Sequence, residues 1–132
     1  MKLGEMKTNA EVIAEDLAND PAFRAEWERT ALARAVAIAI VRYRAEHDLS
    51  QRQLAEAVGM SQPQVARLEL GEYNPRMETL LRLSSRLGLE FTIDVRPVGK
   101  PARRGAAGAS SDRVVETVAV GESEILVSAG AA

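Results

Sequence analysis

Cysteine is absent from this chain and histidine occurs once, at position 47. The first absence excludes disulfides, thiolate metal sites and cysteine nucleophiles together. With a single histidine as well, zinc sites and Ser-His or Cys-His catalysis have no parts to be built from. His47, at the end of a helical segment beside Asp48, reads as a solvated surface residue. No glycine-rich phosphate loop precedes a helix, because Gly105 and Gly108 fall in a Pro/Gly/Ala/Ser stretch. The acidic pairs Glu15-Asp16 and Glu26-Glu28 lie on charged helix faces and read as solvated. The expectation is a protein with no catalytic residues, metal, cofactor or small-molecule substrate. Long apolar runs are missing too. The longest, Ala35 to Val41, is far short of the roughly 18 residues that indicate a membrane span. Met1 to Thr8 has no apolar core behind its lysines, so no signal peptide is read there. A soluble cytoplasmic protein without a membrane partner is expected.

What is present is concentrated between Ser50 and Glu69. Ser50 is followed three residues later by Gln53, and Ser61 by Gln64, and each pair is a capping box. The serine oxygen and the glutamine side chain satisfy orphan amides of the first turn, so each pair marks a helix start. Gly59 falls just past the apolar run Leu54, Ala55, Val58, where a helix closes through a left-handed residue. Helices this short need a packing partner. Two joined by so tight a turn form a helix-turn-helix unit, whose second helix enters the DNA major groove. On that second helix Val65 and Leu68 share an inward face. Gln62, Gln64, Ala66 and Arg67 occupy the rest. Glutamine bonds adenine bidentately and arginine bonds guanine, which suits base-edge readout. Pro63 sits in the first turn, where a missing amide costs little.

The charge of the 132-residue chain is −2, whereas non-specific nucleic-acid binders are usually basic. Its distribution is uneven. Residues 1–30 carry four Lys/Arg against seven Asp/Glu, a net of −3, and residues 42–86 carry seven Arg against six acids, a net of +1. A single weakly basic copy binds DNA poorly, so two copies on adjacent half-sites are expected.

Four segments are read along the chain. Residues 1–30 form a helical extension. Ala10 to Ala18 is amphipathic, with Val12, Ile13 and Leu17 opposite Glu11, Glu15 and Asp16, and Asp20-Pro21 signals a second helix start. Helical pattern then continues to about His47, with a possible break near Arg29-Thr30. AVAIAIV alternates like a strand, but its alanines and the helically spaced Arg34, Arg42 and Arg44 favour a helix buried on more than one side. Residues 31–88 form the DNA-binding domain, closed by an amphipathic helix from Met77 to Leu87 with Leu80, Leu83 and Leu87 inward. Residues 89–97 alternate without a fault, a half-buried strand ended by Pro97. A lone strand needs a partner, and the expected one is the same strand of a second subunit about a twofold axis. Leu89, Phe91, Ile93 and Val95 would then be dimerisation residues. Residues 98–132 read as a linker, with a basic patch at Arg103-Arg104, and a tail. In that tail Arg113 to Val120 and Ile125 to Val127 either form a hairpin or stay mobile. The small-residue end, Val127 to Ala132, resembles the C-terminal tags recognised by Clp-type proteases.

Residues 34–88 resemble the Cro/phage-repressor (Xre) type of helix-turn-helix domain. The resemblance is carried by Gln51, Leu54, Ala55, Gly59, Ser61, Gln62, Glu69 and Gly71, then Asn74, Pro75, Glu78, Thr79 and Leu80, then Leu83, Leu87 and Gly88. It implies a mainly α, five-helix repressor-like domain, here with an N-terminal helical extension and a C-terminal dimerising strand. It implies that Gln51 contacts phosphate and that Ser61, Gln62, Pro63, Gln64 and Arg67 stand at the operator DNA. Arg76 would lie against the backbone or minor groove, and Arg44 with Glu69 would form a structural ion pair. The run from Asp20-Pro21 through Phe23, Arg24, Ala25, Glu26 and Trp27, with Glu46-His47-Asp48-Leu49-Ser50-Gln51 after an Ala/Arg-rich helix, resembles HigA-type antitoxins. Those accompany RelE-like ribonuclease toxins. The strand Leu89 to Arg96 is similar to the dimerising strand of HipB-type antitoxins. These likenesses imply a homodimeric, autoregulating repressor that neutralises a RelE/HigB-like toxin. Val12, Ile13, Leu17, Phe23 and Trp27 would be its toxin contacts, or else part of the protein's own core. A free-standing repressor of phage or mobile-element type is the runner-up, and a protein-binding inhibitor whose motif serves only as scaffold is a third reading.

Overall fold

Alanine dominates the long third helix, and that allows a β-sheet and a group of shorter helices to pack on it from two sides. In the computed structural model, which describes residues 7–100 and 113–132, the order is α1 (Asn9–Asn19), α2 (Pro21–Arg29), α3 (Ala31–His47), α4 (Gln51–Val58), α5 (Gln62–Leu70), α6 (Met77–Leu87), β1 (Leu89–Pro97), β2 (Val114–Val120) and β3 (Ser123–Ala131). On one side of α3, Val36 and Ile40 join Leu54, Ala55 and Val58 of α4, Val65 and Leu68 of α5, and Leu80 and Leu83 of α6. On the other, Ala35 and Ala39 meet Val114, Val127 and Ala129 of the sheet. A larger side chain at either alanine would force the sheet off the helix.

The segment 31–88 holds four helices, α3 to α6, and not the five expected. After Gly88 the chain turns into β1, because Leu89 to Val95 alternates with a period of two that no helix can bury on one face.

β1 does find a partner, but within its own chain. It pairs antiparallel with β3, Leu89 opposite Ala131 and Pro97 opposite Ser123. β3 also pairs with β2, from Val114–Ala129 to Val120–Ser123. The sheet order is β1-β3-β2. Expecting the first partner of β1 in a second subunit was therefore wrong. The hairpin of residues 113–131 forms, and it supplies the central strand. Its two-residue turn opens on Gly121 at φ 60°, the left-handed backbone that such turns require.

The mobile-tail reading of residues 113–128 does not hold. Val127, Ser128 and Ala129 are fully buried, and the Ala132 amide donates to the Gly88 carbonyl at 3.1 Å. The buried Ser128 hydroxyl accepts a 2.8 Å hydrogen bond from Arg113 Nε. The Arg103-Arg104 patch lies outside the described residues.

The dimerisation residues divide. Leu89 is buried in the chain's own core and Phe91 packs against both apolar clusters. Ile93 and Val95 remain exposed, at 44% and 65%.

The N-terminal arm is a separate layer. Neither α1 nor α2 contains a buried residue. Each is well started all the same: Thr8 and Glu11 form a capping box on α1, and the Asp20 carboxylate caps α2 ahead of Pro21. Arg34 of α3 holds the arm in place. It donates to the Trp27 carbonyl at 2.7 Å and to Thr30 Oγ1 at 3.0 Å, and it faces Glu116 of β2 at 3.6 Å. Burial pulls its guanidinium below the ordinary arginine value, and the Glu116 carboxylate opposes that pull.

Candidate nucleic-acid interface

The turn between α4 and α5 is built as the spacing requires. Ser50 and Gln53 cap α4 reciprocally, and Ser61 and Gln64 cap α5. Gly59 takes φ 69° at the end of α4. Met60 N then donates to Ala55 O at 2.9 Å, closing the helix. Val65 and Leu68 face inward at 0% and 4% exposure, so their packing on α4 fixes which residues of α5 meet solvent. Those are Gln62, Pro63, Gln64 and Arg67, with Leu70 at the far end, beside the exposed Ser61.

A chain of polar contacts runs from the core to this surface. Glu69 Oε1 accepts from Arg44 Nε at 3.0 Å and from Arg44 Nη2 at 2.5 Å. Its other oxygen accepts from Gln51 Nε2 at 2.8 Å, and Gln51 Oε1 in turn accepts from Gln62 Nε2 at 2.9 Å. Arg44 and Glu69 thus stand as the expected ion pair, and the pair also positions two of the expected DNA residues. An amide nitrogen has two donors. Among the described residues Gln51 therefore keeps one N–H uncommitted, and Gln62 keeps one N–H together with its carbonyl. A donor beside an acceptor is what the N7/N6 edge of adenine requires.

Arg76 is exposed immediately before α6. Together with Gln64 and Arg67 it lines a cleft between α5 and α6 whose walls also include Tyr73, Thr79 and Arg82. The sequence reading missed two of these. Arg82 of α6 donates to the Gly59 carbonyl at 3.1 Å and so braces the turn. Tyr73 lies under Arg67, its ring centre 4.7 Å from the guanidinium carbon. No spacing rule points to it, since it lies in the loop beyond α5.

The expected toxin contacts are elsewhere. Val12 is exposed and Ile13, Leu17, Phe23 and Trp27 are half-buried. Leu17 and Trp27 line a groove closed on its far side by Thr117, Val118 and Ala119 of β2. Several acids of the arm are already used: Lys7 pairs with Glu15, Arg24 with Glu28 and Arg29 with Glu26. Among the described residues there is no cluster of three or more His, Cys, Asp or Glu side chains that could hold a metal. Nor is any helix there long and apolar enough to cross a membrane.

Two short capped helices at a tight glycine turn, buried on one side and polar on the other, define a DNA-binding helix-turn-helix domain. Comparison with known proteins agrees. The family described as Helix-turn-helix matches residues 40–93. An uncharacterized HTH-type transcriptional regulator of Haemophilus influenzae is 32% identical over 92 residues, covering 70% of this chain and 90% of that protein. Antitoxin HigA1 of Mycobacterium tuberculosis, from two strains, is 35% identical over 81 residues, covering 61% of this chain and 54% of those proteins. The chain thus spans about half the length of those antitoxins. No solved structure matches it significantly. The chain belongs to the helix-turn-helix family of transcriptional regulators, of the Cro/phage-repressor type.

Proposed function

We propose that the protein is a sequence-specific repressor that binds its operator as a homodimer and serves as the antitoxin of a type II toxin–antitoxin pair. One observation carries the DNA-reading part: the contacts from Arg44 through Glu69 and Gln51 to Gln62 hold the exposed face of α5 in place from within the core. With α5 in the major groove, Gln62, Gln64 and Arg67 meet base edges, and Gln51, Ser61 and Arg76 meet the backbone.

Dimerisation is supported by β1. It is an edge strand of the sheet, and Ile93, Val95 and the following Val98 expose apolar surface there. Two such edges meeting about a twofold axis would join two three-stranded sheets into one. The antitoxin role is supported by the HigA1 similarity and by an arm whose own helices bury no residue, which leaves Val12 and part of Ile13, Leu17 and Phe23 accessible to a partner. The broader relative from Haemophilus influenzae, matched over most of its length, favours a second reading, a regulator with no toxin.

A mobility shift on the DNA upstream of the protein's own gene tests the DNA assignment. Arg67→Ala is expected to cost about 1–3 kcal/mol and to relax one position per half-site. Gln51→Ala should weaken binding similarly on all sequences. Wild-type affinity in the double variant Gln62→Ala/Arg67→Ala would sink the reading. For the antitoxin role, deleting residues 1–19 should leave operator binding intact and abolish protection against a toxin encoded beside it. Unaltered protection would move the toxin contact off residues 1–19, and no protection by the full chain would leave the free-standing regulator.

A further inference from the structure

We infer that Tyr73 is a positioning residue that orients Arg67 and so determines guanine selection at one base pair of each half-site. The inference rests on the reading of α5 as the base-contacting helix. Arg67 donates no hydrogen bond and forms no ion pair among the described residues; its contact there is the face of Tyr73, 4.7 Å from guanidinium carbon to ring centre. A cation held by a ring face commits no N–H group to an oxygen acceptor, so among the described residues the five donors of Arg67 are unused. Bidentate bonding to guanine O6 and N7 needs the guanidinium plane presented edge-on. An arginine without the platform samples many rotamers and reaches thymine O4, adenine N7 or a phosphate as readily. Its affinity for DNA survives while its choice of base is lost.

The platform is itself held in place. Immediately after Tyr73, Asn74 Oδ1 accepts from Ala33 N at 3.1 Å and Asn74 Nδ2 donates to Arg29 O at 2.9 Å. Pro75 beyond it is buried. The loop is therefore tied to the junction of α2 and α3, not left to follow α5. Tyr73 is itself 37% exposed, so changing its side chain disturbs little packing.

The test is selection of duplexes randomised over a half-site by the full chain, followed by competition binding on the selected site. Arg67→Ala should lose one guanine position, which locates the base that Arg67 reads. At that position alone, Tyr73→Leu should lower the preference for guanine over adenine on the order of two- to fivefold. Tyr73→Phe should keep it. The melting temperature and the salt dependence should stay as in the wild type, which a merely structural role would not allow. In the Arg67→Ala background, Tyr73→Leu should add nothing. In NMR spectra of the wild-type chain, the Arg67 Nε–H proton should carry an upfield ring-current shift. A wild-type guanine preference in Tyr73→Leu, or an unshifted Arg67 resonance, overturns the positioning role even though α5 reads DNA. Unchanged selection in Arg67→Ala instead overturns the underlying reading and this inference with it.

Discussion

The guanidinium carbon of Arg34 lies 3.7 Å from the centre of the Trp27 ring, and its Nη1 also holds the Trp27 backbone carbonyl. One side chain of α3 thus secures the end of α2 from two directions while facing Glu116 of the sheet. Arg34→Ala is expected to loosen the arm by about 1–3 kcal/mol, through the stacking and the charged hydrogen bonds. Trp27 is the only tryptophan, so its emission reports on the arm alone and should shift to the red. Arg34→Lys should recover little of the effect, since an ammonium cannot stack and donate in a plane together. Unchanged emission in Arg34→Ala would mean that the arm docks by other contacts.

Glu69 has only 7% of its side chain exposed, against 24% for Arg44. Removing the carboxylate strands a partly buried guanidinium and frees Gln51. Glu69→Ala should cost stability near the lower end of roughly 3–5 kcal/mol, because Arg44 retains some solvent and the Leu49 carbonyl at 3.2 Å. Urea unfolding measures this. Operator affinity of the folded fraction should also fall, as Gln62 loses its support. A stability change without an affinity change would confine the pair to folding.

Val127 is fully buried at the centre of the sheet, opposite Ile93 and Glu116. Val127→Ala should destabilise by about 1–3 kcal/mol. Val127→Asp places an unpartnered charge there and should prevent folding. Truncation before Gly121 should do the same, because it leaves β1 and β2 without their shared neighbour. Thermal melts and solubility on expression decide the matter; a stable truncated protein would show that β3 is dispensable.

The proposed dimer depends on Ile93 and Val95, which face solvent in the single chain. Ile93→Glu with Val95→Glu should give monomers in sedimentation, an unaltered melt at low concentration, and much weaker operator binding. Changes at Leu89 or Phe91 should instead unfold the chain, since both serve its own core. A double variant that remains dimeric would move the interface off β1.

Local signals were legible wherever the chemistry is local. Capping boxes at Ser50 and Ser61, the helix stop at Gly59, and the spacing of Val65 and Leu68 all act within a few residues. Each could be read before any fold was known, as could the alternation of Leu89 to Val95. The Arg44–Glu69 pair came from a family resemblance, because no periodicity joins residues so far apart. The partner of β1 was missed for the same reason. Strand pairing depends on which edge lies near enough to bond, and the pattern of one strand carries no record of it.

The amino-acid order alone was enough to specify the elements: two capped helices at a glycine turn, their inner and outer faces, and a following strand. It was enough to place Gln62, Gln64 and Arg67 on the part of α5 that Val65 and Leu68 leave open, because a helix converts spacing into direction. Three relationships exist only in the folded chain. The C-terminal segment becomes the centre of the sheet, Gln51 and Gln62 are tied to the core through Glu69, and Tyr73 comes to lie beneath Arg67. All three join residues from separate elements, so they depend on how α3 packs with its neighbours on both sides, which no local pattern encodes.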